Sequence, residues 1–123
     1  MSRSTFPLMH CLLIAAATSG LASNATGRCA TRCELVITYC DEPLTWLLKE
    51  APKYRRTFVY AKCNIPVAKA IRIHLGTRLE VIPSPNVGGS TYASLQHIVR
   101  RYDNLALLTV FCEAAVHRLC HMD

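Results

Sequence analysis

At 123 residues the chain holds one domain at most, and a core of that size buries roughly two-thirds of the surface its unfolded chain exposes. The formal charge of +6 points to anionic partners, whether phosphorylated small molecules, acidic glycans or membrane surfaces. No helix-turn-helix, zinc-finger or basic-zipper pattern occurs, which sets nucleic acid aside, and no stretch reaches the about 20 apolar residues of a membrane-spanning helix.

The N-terminus reads as a secretory signal peptide over residues 1–22. Arg3 precedes an apolar run from Leu8 to Ala17, and the small residues Thr18, Ser19, Gly20 and Ala22 suit cleavage after Ala22. The mature domain is then residues 23–123, with a charge of +5 because Arg3 is the only charged residue removed. A secreted or secretory-pathway location follows, with no integral membrane segment left after cleavage. Asn24-Ala25-Thr26 fits a glycosylation sequon close to the new terminus.

The cysteine pattern agrees with an oxidising compartment. Cys11 lies in the signal, leaving Cys29, Cys33, Cys40, Cys63, Cys112 and Cys120 as disulfide candidates, with 15 connectivities that spacing does not rank. Cys29, Cys33, His117, Cys120 and His121 also have zinc-ligand chemistry. Their C-x3-C and H-x2-C-H spacings lack the two tight ligand pairs of a structural zinc site, so no metal site is expected.

The elements follow in chain order. Leu35–Tyr39 is a short apolar, β-branched and aromatic run, the pattern of a buried strand. Asp41 and Glu42 before Pro43 announce a helix from Leu44 to about Glu50, closed by Pro52; their first role is capping, their second that of a base. Thr57–Tyr60 is the next strand, with Lys62 just beyond its end, either meeting an anion or simply exposed. Basic residues gather nearby at Lys49, Lys53, Arg55 and Arg56. Residues 64–78 carry both a strand-like alternation (Ile71, Ile73, Leu75) and a helix-like start, and receive no assignment. Leu79–Ile82 is a third strand, stopped by Pro83 and Pro85. From Thr91 to Tyr102, Tyr92, Leu95, Val99 and Tyr102 recur at helical spacing and mark the apolar face of an amphipathic helix, with Ser90 as its cap. Leu107–Phe111 is a last core strand.

The turn before that helix, Asn86-Val87-Gly88-Gly89-Ser90, is the clearest candidate site. Glycines there let the backbone approach a ligand and aim unpaired N–H groups at an anion. The spacing is neither that of a P-loop nor that of a dinucleotide fingerprint.

The segments "ELVITYCDEPLTWLLKEAPKYRRTFVYAKC" and "VIPSPNVGGSTYASLQHIVRRYDNLALLTVF" together resemble an uncharacterised eukaryotic domain-of-unknown-function family. Its members show Tyr-Asn-Glu before a Trp-Leu helix, a Tyr-Asn-Lys strand end, then Pro-Asn-Val-Gly-Arg-Glu, His-Ile and Tyr-Asp-Asn-Leu motifs. That order is itself similar to the nucleotide-binding half of GT-A glycosyltransferases. The resemblance implies that Glu42, Lys62, Asn86, Val87, Gly88 and His97 occupy the family's strand-end, turn and helix positions. The chain departs from it at Gly89-Ser90, where the family has Arg-Glu. The family would also continue well beyond Phe111.

The expected architecture is a single small α/β domain, a mostly parallel sheet of about four strands with flanking helices, partial GT-A or Rossmann-like in outline. Its ligand should sit beyond the carboxyl ends of the strands, near Asp41, Glu42, Lys62, Asn86, Gly88, Gly89 and Ser90. A sugar nucleotide or another anionic small molecule is the expected partner. No Asp-x-Asp is present to hold a catalytic divalent cation, and Glu113 is the only acid just past the last strand, so transfer activity is left open, an inactive domain being one reading. The rival readings are a small secreted disulfide-bonded binding or structural protein without catalysis, and a truncated gene product.

Overall fold

The computed structural model describes residues 11–15 and 30–115. Five strands form one sheet: β1 (Cys11–Ala15), β2 (Cys33–Tyr39), β3 (Arg56–Ala61), β4 (Leu79–Pro83) and β5 (Leu108–Glu113), in the spatial order β1-β5-β2-β3-β4. β5, β2, β3 and β4 run parallel, as the four apolar runs require, since strands covered on both faces have no polar side to alternate with. β1 comes from the run read as the core of a signal peptide. It lies antiparallel along the outer edge of β5, with Cys11 opposite Cys112 and Ala15 opposite Leu108. The expected cleavage point after Ala22 and the Asn24 sequon lie outside the described residues.

Three helices connect the parallel strands: α1 (Leu47–Glu50), α2 (Lys69–Leu75) and α3 (Gly89–Arg100). The pleat sends Leu35, Ile37, Tyr39 and Val59 to one face, where they meet Leu47 of α1 and Ile71 and Leu75 of α2. Val36, Phe58, Tyr60 and Phe111 go to the other face, where Ala93 of α3 packs against them. The sheet is thus covered by α1 and α2 on one side and by α3 on the other.

Several local expectations need correction. The helix expected from Leu44 starts at Leu47, because the preceding residues form i→i+3 bonds, Leu47 N–H to Leu44 O at 2.9 Å and Leu48 N–H to Thr45 O at 3.1 Å. Trp46 anchors that turn through Nε1–H, which donates to the Ala114 carbonyl at 3.0 Å. Asp41 and Glu42 do not cap it, for α1 has no side-chain cap. The unassigned middle contains α2. Its apparent alternation arises because Ile71 and Leu75, four apart, face the core, while Ile73 points outward and is 69% exposed.

The largest correction concerns α3. Tyr92, Leu95, Val99 and Tyr102, read as the apolar face of an amphipathic helix, are all exposed, Tyr102 lies beyond the end of α3 in a 3-10 turn, and the buried residues of the helix are Ala93 and His97. The aromatic side chains Phe58, Tyr60 and Phe111 already fill the layer beneath, leaving room for the small Ala93 and for an imidazole that bonds the Tyr60 hydroxyl, Nδ1 to O at 2.8 Å.

Candidate functional site

β2, β3 and β4 are laid down in order across the sheet, and the chain then returns past β2 to place β5 on its other side. The strand order therefore reverses between β2 and β5. At such a switch point the connections leave in opposite directions, opening a crevice beyond the carboxyl ends of the strands. A cavity of about 240 Å³ lies there, walled by the ends of β2 and β5, by Glu42, Lys62 and the Cys40–Cys63 disulfide, and by Asn86, Gly89 and Ser90. Of the residues read from the sequence as a site, Glu42, Lys62, Asn86, Gly89 and Ser90 come together. Asp41 is exposed and outside the wall, and Gly88 stands behind Gly89 as the residue that starts α3.

Lys62 is neither exposed nor free to meet a ligand with its whole ammonium group. It is 6% exposed, and Nζ donates to the carbonyls of Val87 and Gly89, each at 2.7 Å. The ring of Tyr92 stands 5.2 Å from the same nitrogen. Burial pushes the Lys62 ammonium below its ordinary pKa. Its side chain thus ties the end of β3 to the turn before α3.

The turn is held in a conformation that favours glycine. Gly88 (φ +68°) and Gly89 (φ +56°) are both left-handed, and Gly88 is the N-cap, its carbonyl taking the first helical bond from Tyr92 N–H at 3.1 Å. A Cβ on Gly88 would lie 2.8 Å from Tyr92 Cβ, an atom fixed to the helix backbone, whereas one on Gly89 would meet open space. Gly88→Ala should therefore cost about 2 kcal/mol, and Gly89→Ala only the roughly 1 kcal/mol of left-handed strain, an order readable from urea unfolding of both variants.

Ser90 does not cap the helix, which has no side-chain cap; its hydroxyl donates to Glu113 Oε2 at 3.1 Å. Glu42 turns back on its own loop, Oε1 accepting from Cys40 N–H at 2.9 Å. The phenol of Tyr39, at the cavity wall, is raised above its usual pKa by burial first, then by Glu42 and Asp41. The cavity therefore combines two carboxylates, Glu42 and Glu113, with the uncapped positive end of a 12-residue helix. Among the described residues, no three His, Cys, Asp or Glu side chains gather as a metal site. Of the cysteine and histidine ligands weighed for zinc, Cys33 is disulfide-bonded, and Cys29, His117, Cys120 and His121 lie outside the described residues. Cys112 is disulfide-bonded as well.

Sequence reasoning placed the rim, with Glu113 just past the last strand, but missed one feature at the other end of the sheet. Glu113 joins the wall from the end of β5, as Glu42 does from the loop after β2. A larger cavity, about 600 Å³, lies at the opposite end of the sheet beside Arg32, Arg55 and Arg101. Two of its arginines are already engaged: Arg55 donates to Glu34 Oε2, and Arg101 lies 3.6 Å from the same oxygen of that fully buried carboxylate. The C-terminal end of α3, which repels anions, also points there. The rim is the better site despite its smaller volume. No family model, no curated protein and no solved structure matches the chain.

Proposed function

We propose that the chain is a glycosyltransferase-like domain of the secretory pathway that binds a sugar nucleotide, or its phosphate portion, at the strand-end rim without carrying out transfer. The observation that carries this reading is the cavity at the strand-order reversal, in which Asn86, Gly89 and Ser90 adjoin the uncapped N-terminus of α3. First-turn amides have no helical acceptor, and they suit a phosphate oxygen. The carboxylates of Glu42 and Glu113 suit sugar hydroxyls, which donate to them. At about 240 Å³ the cavity is smaller than those enclosing a whole drug-sized ligand, so the base of a nucleotide would lie outside it. Lys62 acts by holding the turn, and the resemblance of the motif order to that of a GT-A-like family supports the choice of ligand.

Thermal unfolding in the presence of a panel of nucleoside diphosphate sugars, with and without manganese, tests the reading. A ligand at ~10 times its dissociation constant stabilises by about 1.4 kcal/mol, which raises Tm by roughly 5 °C in a domain of this size. Asn86→Asp, an exposed change in the cavity wall, should abolish the shift by repelling phosphate while leaving Tm without ligand unchanged. A flat response to the whole panel under both conditions would discard the proposal.

The second reading, a small secreted disulfide-bonded binding or structural protein without catalysis, draws on the Cys40–Cys63 bond in the cavity wall and on the engagement of Lys62 with two carbonyls. Both readings put the chain in the secretory pathway. N-terminal sequencing of the exported protein checks that, with Ser23 as the expected first residue; export with Cys11–Ala15 retained would instead leave β1 in the sheet.

A further inference from the structure

The cavity of about 600 Å³ at the amino ends of the strands takes no part in the rim site. Its wall comes from the segments that enter the parallel strands: Arg32 precedes β2, Arg55 precedes β3, and Asp103, Asn104 and Leu105 precede β5, with Arg101 joining them from the end of α3. Parallel pairing brings these entries to one edge, just as it gathers the exits at the rim. Three guanidiniums thus share the wall with the exposed carboxylate of Asp103. Glu34, fully buried behind them, fixes two of the three: Arg55 donates to its Oε2, and Arg101 Nη2 lies 3.6 Å from the same oxygen. Phe58 holds Arg101 as well, its ring centroid 4.9 Å from Cζ. One carboxylate does not neutralise two guanidiniums, and the side chains of Arg55 and Arg101 stay 46 and 22% exposed. Arg32 is exposed and has no ion-pair partner among the described residues. Nearby, Arg56 and Arg100 share the single carboxylate of Glu80, at 3.0 and 3.8 Å, so the positive excess extends over this end of the sheet. The carbonyl end of α3 works against an anion there, but with only about half a unit of charge, and Arg100 and Arg101 stand at that same end.

From this arrangement we infer a second ligand site, for a sugar that bears a phosphate or sulfate ester. Guanidinium forks match tetrahedral oxyanions and hold them through paired N–H donors. Arg55 and Arg101 are fixed in advance by Glu34, so they lose little freedom on binding. Asp103 and Asn104 beside them offer acceptors and an amide donor to sugar hydroxyls, and Leu105 offers apolar surface to the C–H face of a ring. A bare anion would leave those groups unused, and an uncharged sugar would leave the guanidiniums unused. The volume falls within the roughly 300–1,000 Å³ of small-ligand sites. The inference does not rest on the rim reading, because the two cavities share no residue.

Calorimetric titration of the full, disulfide-intact chain with a hexose phosphate and with a sulfated hexose tests the inference, with inorganic phosphate and the uncharged hexose as references. At least one ester should bind at low salt with a dissociation constant below ~1 mM and weaken as salt is raised, and the tighter of the two names the source of the oxyanion. Arg32→Gln, at an exposed and unpaired position, should weaken that binding ~5-fold, and Asp103→Asn should tighten it ~2-fold by removing a repelling charge, both with unchanged circular dichroism spectra. Asn86→Asp, in the rim wall, should leave it unchanged, which separates this site from the rim. The inference is overturned if neither ester binds at ~1 mM, if Arg32→Gln leaves the binding intact, or if Asn86→Asp abolishes it. Inorganic phosphate bound as tightly as the esters overturns it too, since Asp103 and Asn104 would then recognise no sugar.

Discussion

Between about pH 6.5 and pH 4 the folded protein should lose about 3 kcal/mol of stability through His97 alone. The imidazole is fully buried, bonded through Nδ1 to the Tyr60 hydroxyl, and surrounded by the rings of Phe58 and Phe111. Its pKa falls from 6.5 to about 4, through burial first and then through the positive charges of Arg101 and Arg100. Because the folded pKa lies below the unfolded one, the unfolded chain takes up a proton that the folded chain refuses. The stabilising neutral state is complete above pH 6.5, and its advantage is lost as pH falls toward 4. Arg100 Nη1 donates to the Tyr60 hydroxyl at 3.3 Å, leaving that hydroxyl's own proton for Nδ1. The other ring nitrogen, Nε2, is then a buried N–H without an acceptor, so a further proton must enter at Nδ1, at the expense of the bond from the Tyr60 hydroxyl. Urea unfolding at a series of pH values checks this. His97→Gln keeps an acceptor for Tyr60 and does not titrate, so its stability should be lower at pH 7 but change much less across the window. Parallel pH curves for the two proteins would show that other groups govern acid unfolding.

Removing the Cys40–Cys63 disulfide should cost a similar amount, again about 3 kcal/mol. The bond closes a loop with a sequence separation of 23 residues, and the chain-entropy relation gives that value for the freedom returned to the unfolded chain. The two cysteines leave adjacent parallel strands, Cys40 directly after β2 and Cys63 two residues after β3, where Tyr39 pairs with Ala61. The strand pairing itself brings them together. Chemical reduction would not isolate the effect, because Cys33 and Cys112 are bonded too. The Cys40→Ser/Cys63→Ser double variant does, and its urea midpoint should drop while the sheet's circular dichroism persists. The variant should also show a looser rim, since Glu42 and Lys62 each lie within two residues of one of the cysteines. An unchanged midpoint would mean that the loop is already constrained in the unfolded chain.

Much of the site was legible because it depends on where strands end. Short runs of Val, Ile, Leu, Phe and Tyr mark β2 to β5, and in a parallel sheet their carboxyl ends must share one rim. The residues that follow them, Glu42, Lys62 and the Asn86–Ser90 turn, therefore meet. What each then does was less legible. Lys62 offered only its charge and its place after a strand. Its burial follows from the two carbonyls that the left-handed turn directs at it, and those directions are set by Gly88 and Gly89. Ser90 had the chemistry of a cap, but Glu113, 23 residues later, competes for its hydroxyl.

By itself the sequence determined the α/β class, the four parallel strands and the shared rim, because each of these depends on local apolar runs and on the direction in which short connections must cross. The tertiary structure alone decided which side of α3 is buried. Helical spacing shows that Tyr92, Leu95, Val99 and Tyr102 lie together, but not whether a core waits for them. The layer under α3 was already filled by Phe58, Tyr60 and Phe111, so it accepted the small Ala93 and the hydrogen-bonding His97 and turned the larger apolar stripe toward solvent. Packing volume, a property of residues distant in the chain, overruled the local pattern.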